Sequence, residues 1–112
     1  MTYDEIKDVL HVCEIPCQDW QWKEIPAKGY SVSTFPRCVV WPYVHTGLIA
    51  SGGKYNLMQT VQVSIYSKNS VEPKVFELEK KLIEKGINSV IYQEFNETDQ
   101  VFHYYTGIDV KR

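Results

Sequence analysis

The segment QTVQVSIYS at residues 59–67 constrains the fold most, because apolar and polar side chains alternate along it. In an extended chain, Val61, Val63 and Ile65 point to one side, and Tyr66 points to the other side with the polar residues. This pattern predicts a strand that is buried on one face only. The fold therefore needs another element to cover the apolar face.

The chain supplies a suitable helix directly after this strand. Val75, Leu78 and Leu82 recur at helical spacing, and a glycine such as Gly86 is typical of the position just past a helix end. We expect Ser70 to cap the start of the helix. The apolar stripe of this helix is predicted to pack on the apolar face of the strand.

The first part of the chain predicts two shorter elements. Thr2 and Glu5 form a capping-box pattern, which predicts a short amphipathic helix that ends before Pro16. Residues 38–41 are a predicted strand, and the prolines on both sides confine it to a sheet edge or to a short piece.

A closing hairpin is predicted from two strand-like segments, residues 87–95 and 101–110, which a polar turn separates. The predicted fold class is α+β, with the element order α-β-β-α-β-β. We expect residues 1–112 to form a single domain. Its sheet is predicted to be four-stranded and mainly antiparallel, with the helices packed on one face and with a long β-hairpin arm.

The hairpin arm would end in the glycine-rich stretch GLIASGGKYN, residues 47–56. A phosphate-binding loop needs G-x-x-x-x-G-K-[ST], but Leu48 stands where the first glycine belongs, and Tyr55 follows Lys54. Such a loop also joins a strand to a helix, whereas this stretch joins two predicted strands. We expect either a mobile surface loop or an arm that packs on another subunit through Leu48 and Ile49.

The cysteines could in principle bind a metal ion. Three cysteines, an odd number, predict free thiols in a reducing cytoplasm rather than a disulfide framework. His11, Cys13 and Cys17 lie close together, but a structural zinc site needs a second pair of ligands. Cys38 and His45 are the nearest candidates, and their spacing is loose. We therefore expect no metal and no cofactor, and we expect Cys13 to be a core residue.

Composition and motifs argue against several classes of function. The formal net charge of −2 gives no general attraction to nucleic acid. The N-terminal sequence lacks the apolar region of a signal peptide, and no stretch is long and apolar enough to span a membrane. Cys38 and His103 lie in strand patterns where packing is the common role, and no familiar catalytic motif is present. We predict that the protein is not an enzyme.

Aromatic residues make up 13% of the chain, with eight tyrosines and three tryptophans. The tryptophans of segment 18–26 would share one face if that segment is extended, whereas the two tyrosines at 104 and 105 cover both faces of the last strand. Two interpretations stay open: the rings fill the core of a small domain, or some of them contact another subunit. The candidate protein-interaction residues are Trp20, Trp22, Leu48, Ile49, Tyr104 and Tyr105.

The block QTVQVSIYSKNSVEPKVFELEKKLIEKG, with VFHYYTGIDVKR behind it, resembles the small tail-completion proteins of long-tailed bacteriophages. That family includes tail terminators and tail-to-head joining proteins. Its members have a short N-terminal helix, a hydrophobic strand ending in Tyr-Ser or Trp-Ser, a polar turn, a helix and a final hairpin. The matching parts here are residues 61–67, the helix from about 71 to 85 and the strand from 101 to 110. The Trp-rich segment 18–26 has no counterpart in the family pattern.

The resemblance implies an α+β fold and a structural role that needs no cofactor. Family members form a ring, usually of six subunits, which caps the tail tube and faces the head connector. The implied partners are other copies of the chain, the tail tube protein and head connector proteins. The implied location is the virion, after assembly in the cytoplasm of the bacterial host.

A second hypothesis comes from a different class of function. It is a monomeric cytoplasmic protein-binding module, such as a phage-encoded inhibitor. This module would grip one host protein through exposed Trp and Tyr residues.

Overall fold

The computed structural model describes residues 2–46 and 57–110, and for residues 43–46 and 57–59 it describes the backbone alone. Within these residues, two helices and five strands form a small α+β domain. The elements in chain order are α1 (Tyr3–Val12), β1 (Cys17–Asp19), a 3₁₀ helix (Pro26–Lys28), β2 (Arg37–Thr46), β3 (Leu57–Ser67), α2 (Pro73–Glu84), β4 (Tyr92–Asn96) and β5 (Val101–Val110).

The strands form one mixed sheet in the order β1-β2-β3-β5-β4. All neighbouring strands are antiparallel except β1 and β2, which are parallel. The predicted four-stranded sheet and the predicted element order α-β-β-α-β-β therefore each lack one strand. The missing strand is β1, which joins the sheet because Cys38 N donates to Pro16 O at 2.7 Å and Trp20 N donates to Val40 O at 2.9 Å.

Helix α1 begins and ends as its sequence predicts. The Thr2 hydroxyl accepts a hydrogen bond from Glu5 N at 3.3 Å and donates one to Glu5 Oε1 at 3.2 Å, so Thr2 caps the helix and the Glu5 carboxylate contacts its hydroxyl. The helix ends where Glu14 takes a positive φ of 59°. Ile15 N then donates to Leu10 O, which turns the chain towards the sheet.

Helix α2 ends as predicted but begins differently. Glu72, rather than Ser70, is the cap: its carboxylate accepts from Lys74 N at 3.3 Å and from the Ser67 hydroxyl at 2.9 Å. The prediction of Ser70 was wrong because Pro73 is the first helical residue, which moves the cap to the position before it. Gly86 lies just past the helix end with a φ of 80°, a conformation that favours glycine.

The core lies between the two helices and one face of the sheet. Val61, Val63 and Ile65 are buried in one cluster with the apolar stripe of α2 and with Ile6 and Leu10 of α1. The predicted one-sided burial of β3 against α2 and the packing of both helices on one face are confirmed. Burial of each such side chain contributes roughly 1.5–3 kcal/mol.

The two hairpins are antiparallel, as expected. β4 begins only at Tyr92, so the strand predicted from residue 87 is shorter, whereas β5 spans the predicted residues. β2 is longer than predicted and contains Pro42, which lies beyond the short partner strand β1. Residues 47–56 join β2 to β3, as predicted, and the tip of the arm lies outside the described residues.

Candidate binding face

The side of the sheet that faces away from α1 and α2, here called the helix-free face, carries a second set of side chains. Strand register places its residues in rows, because partners in a ladder point to the same side of a sheet. One row crosses four strands through Arg37, Tyr66, His103 and Glu94. The next row consists of Val39, Ser64, Tyr105 and Tyr92.

The rings of these two rows stack on one another. Tyr66 and His103 lie parallel, with ring centroids 4.6 Å apart, and His103 lies 5.1 Å from Tyr105. Tyr105 in turn stacks on Tyr92 at 5.6 Å. His103 Nδ1 lies 3.4 Å from Glu94 Oε1, while its Nε2 is buried and finds no hydrogen-bond partner among the described residues. The result is a continuous aromatic surface across β3, β5 and β4.

Arg37 lies at the end of the first row, between two aromatic rings. Its guanidinium carbon is 4.7 Å from the ring centroid of Phe35 and 5.4 Å from that of Trp22, which is the geometry of cation–π contacts. Nη1 donates to Val32 O at 3.1 Å, but the buried Nε has no partner in the part of the chain that the structure describes. Burial lowers the pKa of Arg37, so the fold holds this cation at a cost in solvation.

A groove of about 620 Å³ opens on the same face next to Arg37. Trp20 and Trp22 lie on one side of the groove, and the turn between β4 and β5 lies on the other, with Trp41 and Tyr66 among the residues that line it. Five of the lining residues are aromatic, and the charged residues are Arg37, Lys68 and Asp99. The groove therefore offers flat apolar area with a few charges, which is the chemistry of protein–protein contact sites.

The two tryptophans of the groove differ in how they are held. The Trp22 indole donates to Ser31 O at 2.9 Å and its ring lies 5.0 Å from Tyr30, so it is part of the wall. Trp20 is 64% exposed and has a positive φ of 69°. A large residue in that conformation is uncommon, and strained residues concentrate at functional sites.

The structure separates the residues that the sequence marked for protein contacts. Trp20, Trp22 and Tyr105 all lie on the helix-free face. Tyr104 lies on the opposite face, is only 7% exposed and belongs to the core of the domain. Leu48 and Ile49 lie outside the described residues.

Of the groove's aromatic and arginine residues, the sequence candidates included only Trp20 and Trp22, and Phe35, Arg37, Trp41 and Tyr66 were missed. The alternation of β3 had already placed Tyr66 on its polar face, and this was a usable signal. Nothing in the sequence marked Arg37, because its neighbours Trp22 and Phe35 come from an irregular connection.

The thiols lie in a separate place, on the helix side of the sheet. Cys17 and Cys38 are register partners across β1 and β2, and Cys13 is buried at the end of α1. The hydrogen bond from the Cys38 thiol lowers the pKa of Cys17, while burial raises the pKa of Cys38. Within residues 2–46 and 57–110, no three His, Cys, Asp or Glu side chains come together as a metal-binding group.

Comparisons with known proteins add nothing to this geometry. No helix among the described residues is long and apolar enough to cross a membrane. The chain matches no family model, and no match was found among curated proteins or solved structures.

Proposed function

We propose that this chain is a structural protein that works by binding other protein chains through its helix-free face. The observation that carries the proposal is the groove lined by Trp20, Trp22 and Trp41 beside the half-buried cation of Arg37. Tryptophan, tyrosine and arginine are the residue types that dominate the energy of protein interfaces. Stacked rings and one guanidinium provide contact area and charge, which suits binding.

The specific role proposed is tail completion in a long-tailed bacteriophage. Copies of the chain form a ring, of six subunits in the family that the sequence resembles, which caps the tail tube and meets the head connector. The helix-free face would contact the tube protein or a neighbouring copy. The protein then acts in the virion without a cofactor, and its partners are proteins rather than nucleic acid or membrane.

A binding experiment tests this proposal with one groove variant and one control. The matched pair is Trp20→Ala and Val12→Ala, because the two side chains are 64% and 63% exposed and only Trp20 lines the groove. Both variants should keep the wild-type melting temperature, since little native burial is lost. Trp20→Ala should weaken binding to purified tail-tube ends by on the order of 2 kcal/mol, as for an interface hot spot.

Co-sedimentation with tubes and electron microscopy of tube ends measure this loss. Wild-type protein that neither binds tube ends nor forms rings on them would contradict the tail-completion role.

A second candidate is the monomeric protein-binding module, such as an inhibitor of one host protein. The exposure of Trp20 favours it, because this indole is available in a single copy of the chain. The two candidates differ in stoichiometry. The module predicts a one-to-one complex with a host protein and no association with tail tubes.

A further inference from the structure

The outer edge of β4 is open. β4 is the last strand of the sheet, and all five of its residues are exposed, including Tyr92 and Phe95. Natural proteins commonly protect such an edge with lysine, proline or a covering segment. The sequence of β4, YQEFN, contains neither lysine nor proline, its one charged residue, Glu94, lies 3.4 Å from His103 of β5, and no described element pairs with its outer side.

The flank of α2 nearest this edge is apolar. Lys74 donates to Glu14 O beside α1, and Lys81 lines the cleft between the two helices, so this side of α2 faces α1. Phe76 and Ile83 follow those lysines by two residues each, which places them about 200° further around the helix. They therefore face the β4 end of the sheet, and they are 58% and 55% exposed.

The same flank is complementary to itself. Glu79 and Lys80 are exposed at the middle of α2, halfway between Phe76 and Ile83. If two copies of α2 lie antiparallel about a two-fold axis between residues 79 and 80, each Phe76 meets an Ile83 and each Glu79 meets a Lys80. A two-fold contact needs this kind of self-complementary surface.

We propose that two copies of this chain associate through β4 and the apolar flank of α2. The β4 strands pair antiparallel across the two-fold axis, so the sheet of one copy continues into the sheet of the other, and the two α2 helices meet on the same side. In the dimer, this contact covers the β4 edge that is open in a single copy of the chain. The surface consists of Phe76, Glu79, Lys80, Ile83 and the β4 residues Tyr92–Asn96.

The opposite end of the sheet is a poorer partner for β4. It carries an ion pair between Lys7 and Asp19 at 3.1 Å beside the exposed Trp20, so it matches the apolar flank of α2 less well than a second copy of that flank does. Pro42 follows the segment of β2 that β1 covers, and proline lacks the N–H that a new ladder would need. Pairing of like surfaces about a two-fold axis closes on itself, so this contact is separate from the proposed ring and does not depend on it.

The first test measures the solution mass of the purified chain, without tubes, by sedimentation equilibrium over a wide concentration range. We expect a monomer–dimer equilibrium in the wild type. Ile83→Lys should raise the dissociation constant about tenfold or more, because it places charges in the apolar contact. Val12→Lys is the control, since it makes the same charge change at a residue that is 63% exposed on α1, and it should leave the constant unchanged.

The second test is a charge exchange that does not affect the core. Glu79→Lys and Lys80→Glu should each raise the dissociation constant by about threefold to tenfold, because each places like charges across the axis. The double variant should return the constant to near the wild-type value. A wild type that stays monomeric at every concentration, a dimer insensitive to these changes, or a double variant weaker than both single variants would overturn the proposal.

Discussion

The two faces of the sheet are built from the same strands but differ in how their side chains are packed. On the helix side, Val61, Val63 and Ile65 are closed off by apolar neighbours from both helices. On the helix-free face, stacked rings surround a half-buried arginine. Both buried nitrogens without a described partner, Arg37 Nε and His103 Nε2, are on this second face.

If the helix-free face binds a partner as proposed, this difference separates stability from binding. A mainly apolar, close-packed face stabilises the fold and tolerates little change. Buried polar atoms that lack partners reduce stability and are uncommon in native proteins, so this face is less completely satisfied than the helix side. The two faces should therefore respond differently to substitution, even at adjacent positions.

The largest difference is expected between adjacent residues of β3. Val63 is only 1% exposed, on the helix side, whereas Gln62 is half-buried on the helix-free face. Val63→Asp buries a carboxylate in the core and should prevent folding. Gln62→Glu should change the free energy of unfolding by no more than about 0.5 kcal/mol. Circular dichroism and urea unfolding measure both, and equal tolerance of the two changes would contradict the register of β3.

A smaller difference is expected between the tyrosines at 104 and 105. The Tyr104 hydroxyl donates to Asn69 O at 2.9 Å and accepts from Gln93 Nε2 at 3.0 Å, so Tyr104→Phe leaves both groups without this partner. We expect a loss of about 1–2 kcal/mol of unfolding free energy at neutral pH. Tyr105→Phe, on the helix-free face, should cost about 0.5 kcal/mol or less.

The same pair of variants has a pH signature. Burial raises the pKa of Tyr104, so the folded state favours the neutral phenol. The stability that this gives is fully present below the unfolded pKa of about 10 and is lost as the pH rises through the folded value. Urea unfolding from neutral to alkaline pH should show a smaller loss for Tyr104→Phe than for the wild type. An equal loss of stability in the wild type and in Tyr104→Phe would contradict a raised pKa of Tyr104 in the folded state.

The helix side could be predicted from the sequence because its signals are local. The alternation of β3 and the stripe of α2 each lie within one short segment, and the αL position of Gly86 follows from its own residue type. β1 could not be predicted, since three residues are too few to show a period and its hydrogen bonds depend on β2. The open edge of β4 was also hidden, because strand order is a property of the whole sheet.

The helix-free face was predictable only in part, for a related reason. Its groove combines residues from the first connection, from β2 and β3, and from the last turn, which are distant along the chain. The tryptophans at 20 and 22 were marked by their size and type. Arg37 is the charged residue beside Trp22, and only the tertiary structure brings the two together.

A small net effect on stability is also expected at Arg37. Arg37→Met removes the hydrogen bond to Val32 O and the contacts with the Phe35 and Trp22 rings, which together contribute on the order of 1–2 kcal/mol. It also removes a buried Nε without a described partner, whose desolvation costs about 1–3 kcal/mol, while the methionine keeps most of the packing volume. These terms nearly cancel, so urea unfolding should give a change within about 1 kcal/mol. Binding to tail-tube ends should fall much more, because the one guanidinium that residues 2–46 and 57–110 place on this face is gone. A loss of stability as large as that of a core truncation would show that Arg37 supports the fold, and the separation between the two faces would not hold.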